Sequence, residues 1–248
     1  MVKEEFSFFG SHPELYEEGF DYREMDQQVH FLDKLFSDNK CKKILDVACG
    51  HSPHGRMLAK KGYKVSGIDL SEPLLRLGRL RASQERVNIR FCQRDMSDFF
   101  IGKFDAAYIL FSSILHLYKG RDLNSHFRSV GKSLKRGGLY IIDISSLPFK
   151  SPFVPNKITY SKGRLRTIIE YTPVDASHLV ASFKMSSILK GKIVNRDDFS
   201  VLMFLPLPFL VSLSRSNGFD LEGLYSDFDF SKDFDKKKPE YIAVLRKK

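Results

Sequence analysis

The sequence predicts an α/β fold: a seven-stranded, mostly parallel sheet with helices on both faces, and an antiparallel β insert between strand five and the last helix. Three observations carry that expectation. Short, very apolar runs of strand length alternate with helical stretches between residues 43 and 144, as in a parallel sheet covered on both faces. After Pro148 the helical periodicity fades, and residues 156–205 are rich in β-branched and aromatic residues broken by turn signals. From Pro208 onward a helix and two further strand-like runs restore the first texture.

Residues 13–36 read as helical, with Leu15, Val29, Leu32 and Phe36 spaced among many charges. The run from Lys43 to Ala48 is a buried strand ended by the turn Cys49-Gly-His-Ser-Pro53. A helix then extends to about Lys61, with Ser52 and Pro53 suited to its N-cap and first position. Gly62 stops it. The cycle repeats as strand Tyr63–Asp69, helix Ser71–Ser83, strand Val87–Cys92, strand Ala106–Leu110 and helix Asp122–Leu134. Gly137-Gly138 reads as a turn before the apolar strand Leu139–Ile144. In the insert, turn signals at Lys162-Gly163, Pro173–Ser177 and Lys190-Gly191 separate about four strands joined by hairpins. Helix Pro208–Asn217, stopped by Gly218, precedes the strands Phe219–Ser226 and Tyr241–Leu245.

The bulk properties narrow the class. At 248 residues, 42% hydrophobic and 28% charged, the chain suits one globular domain with an insertion. The longest apolar stretch, Phe199–Leu213, is too short for a membrane span and contains Pro206 and Pro208. The N-terminus lacks the blocks of a signal peptide, and Cys41, Cys49 and Cys92 have no paired spacing, so a reduced, cytoplasmic setting is expected. A net charge of +10 raises nucleic acid as a partner. The charge is spread out, however, and its one enrichment (Arg76, Arg79, Arg81, Arg86, Arg90, Arg94) reads as a solvated outer helix leading into a strand. Nucleic acid and membrane are therefore not the expected partners.

Chemistry concentrates at strand ends. Asp46-Val-Ala-Cys-Gly50 joins the first strand to the first helix, where small residues let backbone approach a ligand. Asp69 ends the second strand about 20 residues beyond that turn, the position from which an acid accepts ribose hydroxyls. Asp95-Met96 follows the third strand, where an adenine could lie. Each acid also reads as a helix N-cap or turn residue, yet together, in this order, they favour an adenosine-containing ligand. A dinucleotide needs G-x-G-x-x-G to seat its pyrophosphate, and here only Gly50 and Gly55 occur, with His51, Ser52 and Pro53 between them.

These segments resemble the class I methyltransferases, which use S-adenosylmethionine (SAM) and have a Rossmann-like fold. Ile44-Leu-Asp-Val-Ala-Cys-Gly50 is similar to their first motif, Gly67-Ile-Asp-Leu-Ser71 to the second and Arg94-Asp-Met-Ser-Asp98 to the adenine-side motif. Lys103-Phe-Asp-Ala-Ala-Tyr108 and Leu134-Lys-Arg-Gly-Gly-Leu139 resemble the strand-four and strand-five signatures. Phe111-Ser-Ser-Ile-Leu-His-Leu117 is similar to the antibiotic-sugar N,N-dimethyltransferases, small-molecule enzymes that also carry a β insert.

The resemblance implies SAM as cofactor and a small-molecule methyl acceptor. It puts Ala48, Cys49 and Gly50 at the methionine part of SAM, Asp69 and Leu70 at the ribose, and Asp95 and Met96 at the adenine. Leu110 and Phe111 would lie beneath the cofactor, and Tyr22 would close over it. His116 matches a histidine near the acceptor, and reads either as base or orienting residue or as a hydrogen-bonded cap of its loop. Tyr16 and Tyr22 read either as acceptor-pocket or as core aromatics, and His51 and His54 as residues of the turn and first helix rather than metal ligands. Ser52 stands where the family usually has glycine. Three regions follow: residues 1–149 as cofactor-binding core with an N-terminal helical lid, 150–205 as an insert covering the acceptor site, and 206–248 as the last helix and strands.

Overall fold

A computed structural model of the protein describes residues 13, 14, 17, 24–144, 155–162, 165–175, 180–202, 204–237 and 240–248. In chain order the elements are α1 (Met25–Asp38), β1 (Lys43–Val47), α2 (Pro53–Lys60), β2 (Lys64–Asp69), α3 (Glu72–Gln84), β3 (Ile89–Gln93) and β4 (Phe104–Ile109). A 3-10 turn (Ser113–His116), α4 (Gly120–Ser133) and β5 (Leu134–Ile144) follow. The insert supplies β6 (Asn156–Lys162), β7 (Leu165–Asp175), β8 (Val180–Leu189) and β9 (Lys192–Leu202). Then come α5 (Leu207–Ser216), β10 (Phe219–Tyr225) and β11 (Tyr241–Lys247).

The main sheet has seven strands in the order β10-β11-β5-β4-β1-β2-β3. Strands β1 to β5 run parallel, while β11 runs antiparallel to both its neighbours, β5 and β10. Alternation along each strand divides the core in two. Leu45, Val47, Ala107, Ile109, Tyr140 and Ile142 face one layer, with α4 and α5. Ile44, Val65, Ala106, Tyr108, Leu139 and Ile141 face the other, with α1 and α2. Both faces are covered, which is why these strands read as nearly continuous apolar runs.

Sheet order reverses between β1 and β4, since the chain leaves β1 toward β2 and β3 and returns to β4 on the other side. A crevice forms at the strand ends where such a reversal occurs, and ligands of open α/β sheets bind there. The insert is a separate four-stranded antiparallel sheet in the order β6-β7-β8-β9. Tyr171, Ala181, Phe183 and Val201 of that sheet join the α4–α5 side of the core, with Leu115 and Leu117 after β4.

One expected turn lies within a strand, and another begins within one. Gly137-Gly138 lies inside β5, which begins at Leu134; the irregularity falls between Phe104 and Ala106, and Gly137 takes φ +75°. The short break in pairing is what the glycine pair marked. Pro173 lies inside β7, opposite Ala181, beside a register shift at Asp175. The turn expected over Pro173–Ser177 thus begins inside β7, and residues 176–179 lie outside the described residues. At Lys190-Gly191 the expected hairpin turn is present, with φ +50° and +78°. Tyr16, Tyr22, Gly163 and the chain on either side of Pro148 lie outside the described residues. Among the described residues no helix is long and apolar enough to cross a membrane.

Candidate active site

The turn after β1 is built from left-handed backbone at alternate positions: Ala48 has φ +54°, Gly50 +55° and Ser52 +52°. Only Gly50 adopts this without steric cost; for Ala48 and Ser52 it costs about 1 kcal/mol each. The surroundings hold that strain in place. Cys49 donates its N–H to the Ile68 carbonyl (2.9 Å), Ser52 to the Cys49 carbonyl (2.7 Å), and Gly50 to the Asp69 carboxylate (2.8 Å). Pro53 has no N–H to give. Three amides of the turn are thus engaged within the fold.

Ser52 sits at the N-cap position of α2 but makes no capping bond. Its buried hydroxyl instead donates to the Asp46 carboxyl at 2.6 Å. A side chain in left-handed backbone points away from the helix amides, which is the physical reason the expected cap is absent. Burial, with a smaller contribution from the Asp69 charge, pushes the Asp46 carboxyl up to about 7, against the Ser52 hydrogen bond. Space here is tight: a Cβ on Gly55 would lie 2.1 Å from the Ser52 hydroxyl, and one on Gly67 would lie 2.7 Å from the Cys49 sulfur. The Cys49 side chain is therefore packed under the turn, where burial raises its thiol pKa, and it offers a ligand only backbone.

Asp69 ends β2 with one oxygen on the Gly50 N–H and the other on the Ser71 N–H, both at 2.8 Å. Burial raises its pKa and these backbone donors oppose the rise. The Leu70 N–H is a third backbone donor to this carboxylate, and since a carboxylate has about four lone-pair sites, about one is left for a ligand hydroxyl. Leu70, the next residue, is 67% exposed, an unusual apolar surface at a strand end. The β3 end is tied to this corner, because Arg94 donates its N–H to the Asp69 carbonyl and the Gln93 amide donates to the Leu70 carbonyl, both at 3.0 Å. Asp95 caps its own turn through the Ser97 N–H (2.7 Å) and is exposed. The Met96 carbonyl is fixed by His126 Nδ1 at 2.8 Å.

On the other side of the crevice, Leu110 is buried, and Phe111 and Ser112 take φ +57° and +55°. The Phe111 N–H donates to the buried Asp143 carboxylate (2.7 Å), and its ring lies 5.2 Å from that of His54. His54 in turn meets Gln28 of α1 at 2.7 Å. Hydrogen bonds thus tie Gly50 and Arg94 to Asp69, and Phe111 meets α2 at His54. His116 lies farther along the loop after β4, at the end of the 3-10 turn, where its ring meets Phe199 of the insert at 5.0 Å. It reaches solvent, yet the apolar groups crowding it lower its pKa through desolvation.

Residues 44–138 match the family model described as a methyltransferase domain. That stretch runs from β1 into β5, so the strands that frame the crevice are similar to a methyltransferase domain. Within the curated proteins it is 34% identical over 134 residues to YqeM of Bacillus subtilis (strain 168), covering 53% of each chain. It is 31% identical over 105 residues to the dTDP-3-amino-3,4,6-trideoxy-alpha-D-glucopyranose N,N-dimethyltransferase of Streptomyces venezuelae, covering 42% of this chain and 43% of that one. The match thus spans about half the length of these relatives. Among solved structures, the CcbJ methyltransferase of Streptomyces caelestis superposes with a TM-score of 0.81 at 16% identity, covering 97% and 98% of the two chains. A SAM-dependent methyltransferase of Clostridium acetobutylicum ATCC 824 gives 0.80 at 18%, covering 95% of each. At such identities the likeness is one of fold, and it extends over the insert as well as the main sheet.

Several residues around the crevice escaped the sequence reading. Asp143 is an acid inside a very apolar strand, and that mismatch was the available signal. His126 is buried in α4 between the Met96 carbonyl and the Tyr140 hydroxyl (2.5 Å); burial brings its pKa to about 4, so it is neutral, with the proton on Nδ1 inferred from its partners. Arg56 is 7% exposed and donates to Glu85 (2.7 Å) and the His51 carbonyl (2.6 Å). Glu17 takes three bonds from Arg81, the shortest at 2.6 Å, and lies 3.7 Å from His51. That cluster seats a residue of the N-terminal helical region on α2 and α3.

Proposed function

We propose that this chain is a SAM-dependent methyltransferase that moves a methyl group to a nitrogen or oxygen of a small-molecule acceptor. The observation that carries the reading is the Gly50–Asp69 hydrogen bond at the reversal point. It sets a carboxylate beside an exposed leucine and a turn that lacks the G-x-G-x-x-G spacing of a pyrophosphate site. Those features fit a nucleoside with an amino-acid tail. The solved relatives include SAM-bound CalS10, an amino pentose methyltransferase, which is in keeping with that cofactor.

In this reading the backbone of Ala48, Cys49 and Gly50 holds the methionine end, Asp69 and Leu70 the ribose, Asp95 and Met96 the adenine, and Leu110 and Phe111 the floor, with Tyr22 closing over them. When bound, SAM supplies an electrophilic methyl group. The protein's part is to align an acceptor atom with it and exclude water, and alignment alone is worth several kcal/mol. His116 takes or orients the acceptor's proton, and a lowered pKa keeps its imidazole neutral and able to accept at neutral pH. Residues 1–149 and 206–248 form the cofactor-binding unit, and 150–205 covers the acceptor. The three cysteines carry free thiols, in keeping with a cytoplasmic enzyme.

Ser52 could have argued for a disabled site. Its hydroxyl is wholly buried against Asp46, which is in keeping with a turn left open to the cofactor. Calorimetric titration with S-adenosylhomocysteine tests the reading. Micromolar binding is expected, and no heat at millimolar ligand would remove its basis.

A further inference from the structure

Helix α4 holds the loop after β3 through two side chains three residues apart. His126 and Ser129 lie on one face of the helix, and both are buried. His126 Nδ1 meets the Met96 carbonyl at 2.8 Å, and Ser129 Oγ accepts the Phe99 N–H at 3.2 Å. The Ser129 hydroxyl also donates, more weakly, to the Ser97 carbonyl at 3.5 Å. Behind the imidazole, the Tyr140 hydroxyl of β5 lies 2.5 Å from Nε2. A carbonyl can only accept, so the one proton of the neutral ring belongs on Nδ1, and Nε2 accepts from Tyr140. The bonds therefore run in one direction, from Tyr140 through His126 to Met96.

The peptide unit that His126 holds is held at its other end as well. Its N–H, on Ser97, donates to Asp95 Oδ1 at 2.7 Å, and the Asp98 N–H donates to the Asp95 carbonyl at 3.2 Å. Asp95 is exposed, and its second carboxylate oxygen takes no hydrogen bond among the described residues. The direction of that oxygen is thus set by a peptide plane that a buried helix face fixes. A carboxylate oxygen is an acceptor, and its match on a nucleobase edge is an N–H donor. A 6-amino purine presents one outside the ring, whereas a 6-oxo purine has a carbonyl there and carries its N–H on the ring. A loop free to shift could follow either donor. A pinned loop serves one.

We propose that His126 is a positioning residue for nucleobase recognition: by pinning the 96–97 peptide it aims Asp95 at a 6-amino purine and against a 6-oxo one. The base selection rests on the methyl-transfer reading above, which puts Asp95 at the adenine; the pinning does not. A site built to bond an N–H discriminates strongly against an analogue that lacks it.

Paired calorimetric titrations with S-adenosylhomocysteine and S-inosylhomocysteine test the selection. The parent protein is expected to prefer the adenosyl compound at least tenfold. In His126→Leu, folded by circular dichroism, that ratio should fall severalfold, and His126→Asn, which keeps a donor at the Nδ1 position, should restore it. Equal weakening of both ligands, with the ratio unchanged, would show a merely structural histidine and overturn the proposal. If His126→Leu does not fold, Ser129→Ala decides in its place, with a smaller fall in the ratio expected and an unchanged ratio counting against the proposal. A parent that binds both compounds alike would overturn the base selection. A parent that binds neither would instead remove the methyl-transfer reading, and the pinning would then be judged on the ligand-free protein. There, nitrogen-15 spectra at neutral pH should show His126 as the tautomer protonated at Nδ1, and protonation at Nε2 alone would overturn its hold on Met96.

Discussion

The crevice at the β1–β4 reversal and the inner face of the insert stabilise their sites by opposite means. The crevice is made from backbone: three left-handed residues, three engaged amides and two buried acids, Asp69 and Asp143, that each accept backbone N–H groups. The insert's inner face is made from side chains, aromatic rings in register with few polar ties. Backbone geometry tolerates few residue types, whereas a packed ring tolerates another ring. The crevice should therefore fail sharply when altered, and the insert should retune.

The largest expected effect is a pH dependence in the crevice. The Asp46 carboxyl, raised by burial to about 7, binds its proton more tightly folded than unfolded. Its contribution is fully present below about pH 4 and is lost as pH rises to about 7, on the order of 4 kcal/mol in all. Asp46→Asn, still an acceptor for Ser52, should remove that slope, so urea unfolding should show a larger gain at pH 8 than at pH 5. An equal change at both would show that Asp46 is not the source.

Next comes Gly55→Ala. The added methyl falls on the Ser52 hydroxyl, and a loss of roughly 2–3 kcal/mol is expected from overpacking and a displaced hydrogen bond. Pairing it with Ser52→Gly should recover part of that loss; strictly additive unfolding energies would mean the two do not collide. Asp69→Ala should weaken S-adenosylhomocysteine binding at least tenfold, or about 1.4 kcal/mol, in calorimetry. A folded variant of undiminished affinity would remove Asp69 from the ribose role. The smallest effect belongs to the insert's outer face. Glu170→Ala breaks the exposed Lys157–Glu170 pair and should move stability by no more than about 0.5 kcal/mol in thermal melts, in contrast to any crevice substitution.

The same contrast governs what could be read from sequence. Strands β1, β2, β4 and β5 were legible because burial on both faces forces apolar runs, and Gly62 and Gly218 marked helix ends through their positive φ, +95° and +82°. Glycine at residues 137 and 138 misled because an irregularity within a strand uses the same residues as a turn between strands. The acids at strand ends stood out singly, but not the partners that fix them: that Asp69 holds Gly50, or Asp143 holds Phe111, depends on pairing across 19 and 32 positions of chain. Ser52 was legible as an oddity and not as a donor to Asp46. The pairing of the insert's aromatic rings is set by the register of its strands, which composition alone does not specify.

Strand β11 is the last element in chain order, yet it lies inside the main sheet, between β5 and β10. Until it is inserted, β5 presents an open edge running from Leu139 to Ile144, four of whose side chains are large and apolar. During synthesis that edge exists while every earlier strand is already outside the ribosome, so the nascent chain passes through a stage prone to pairing with other chains. Closure also draws in Tyr241, whose hydroxyl donates to the Leu205 carbonyl at 2.5 Å, just beyond the insert. The arrival of one late strand thus completes the sheet and seats the end of the insert in a single step, and chaperone dependence during expression should be concentrated there.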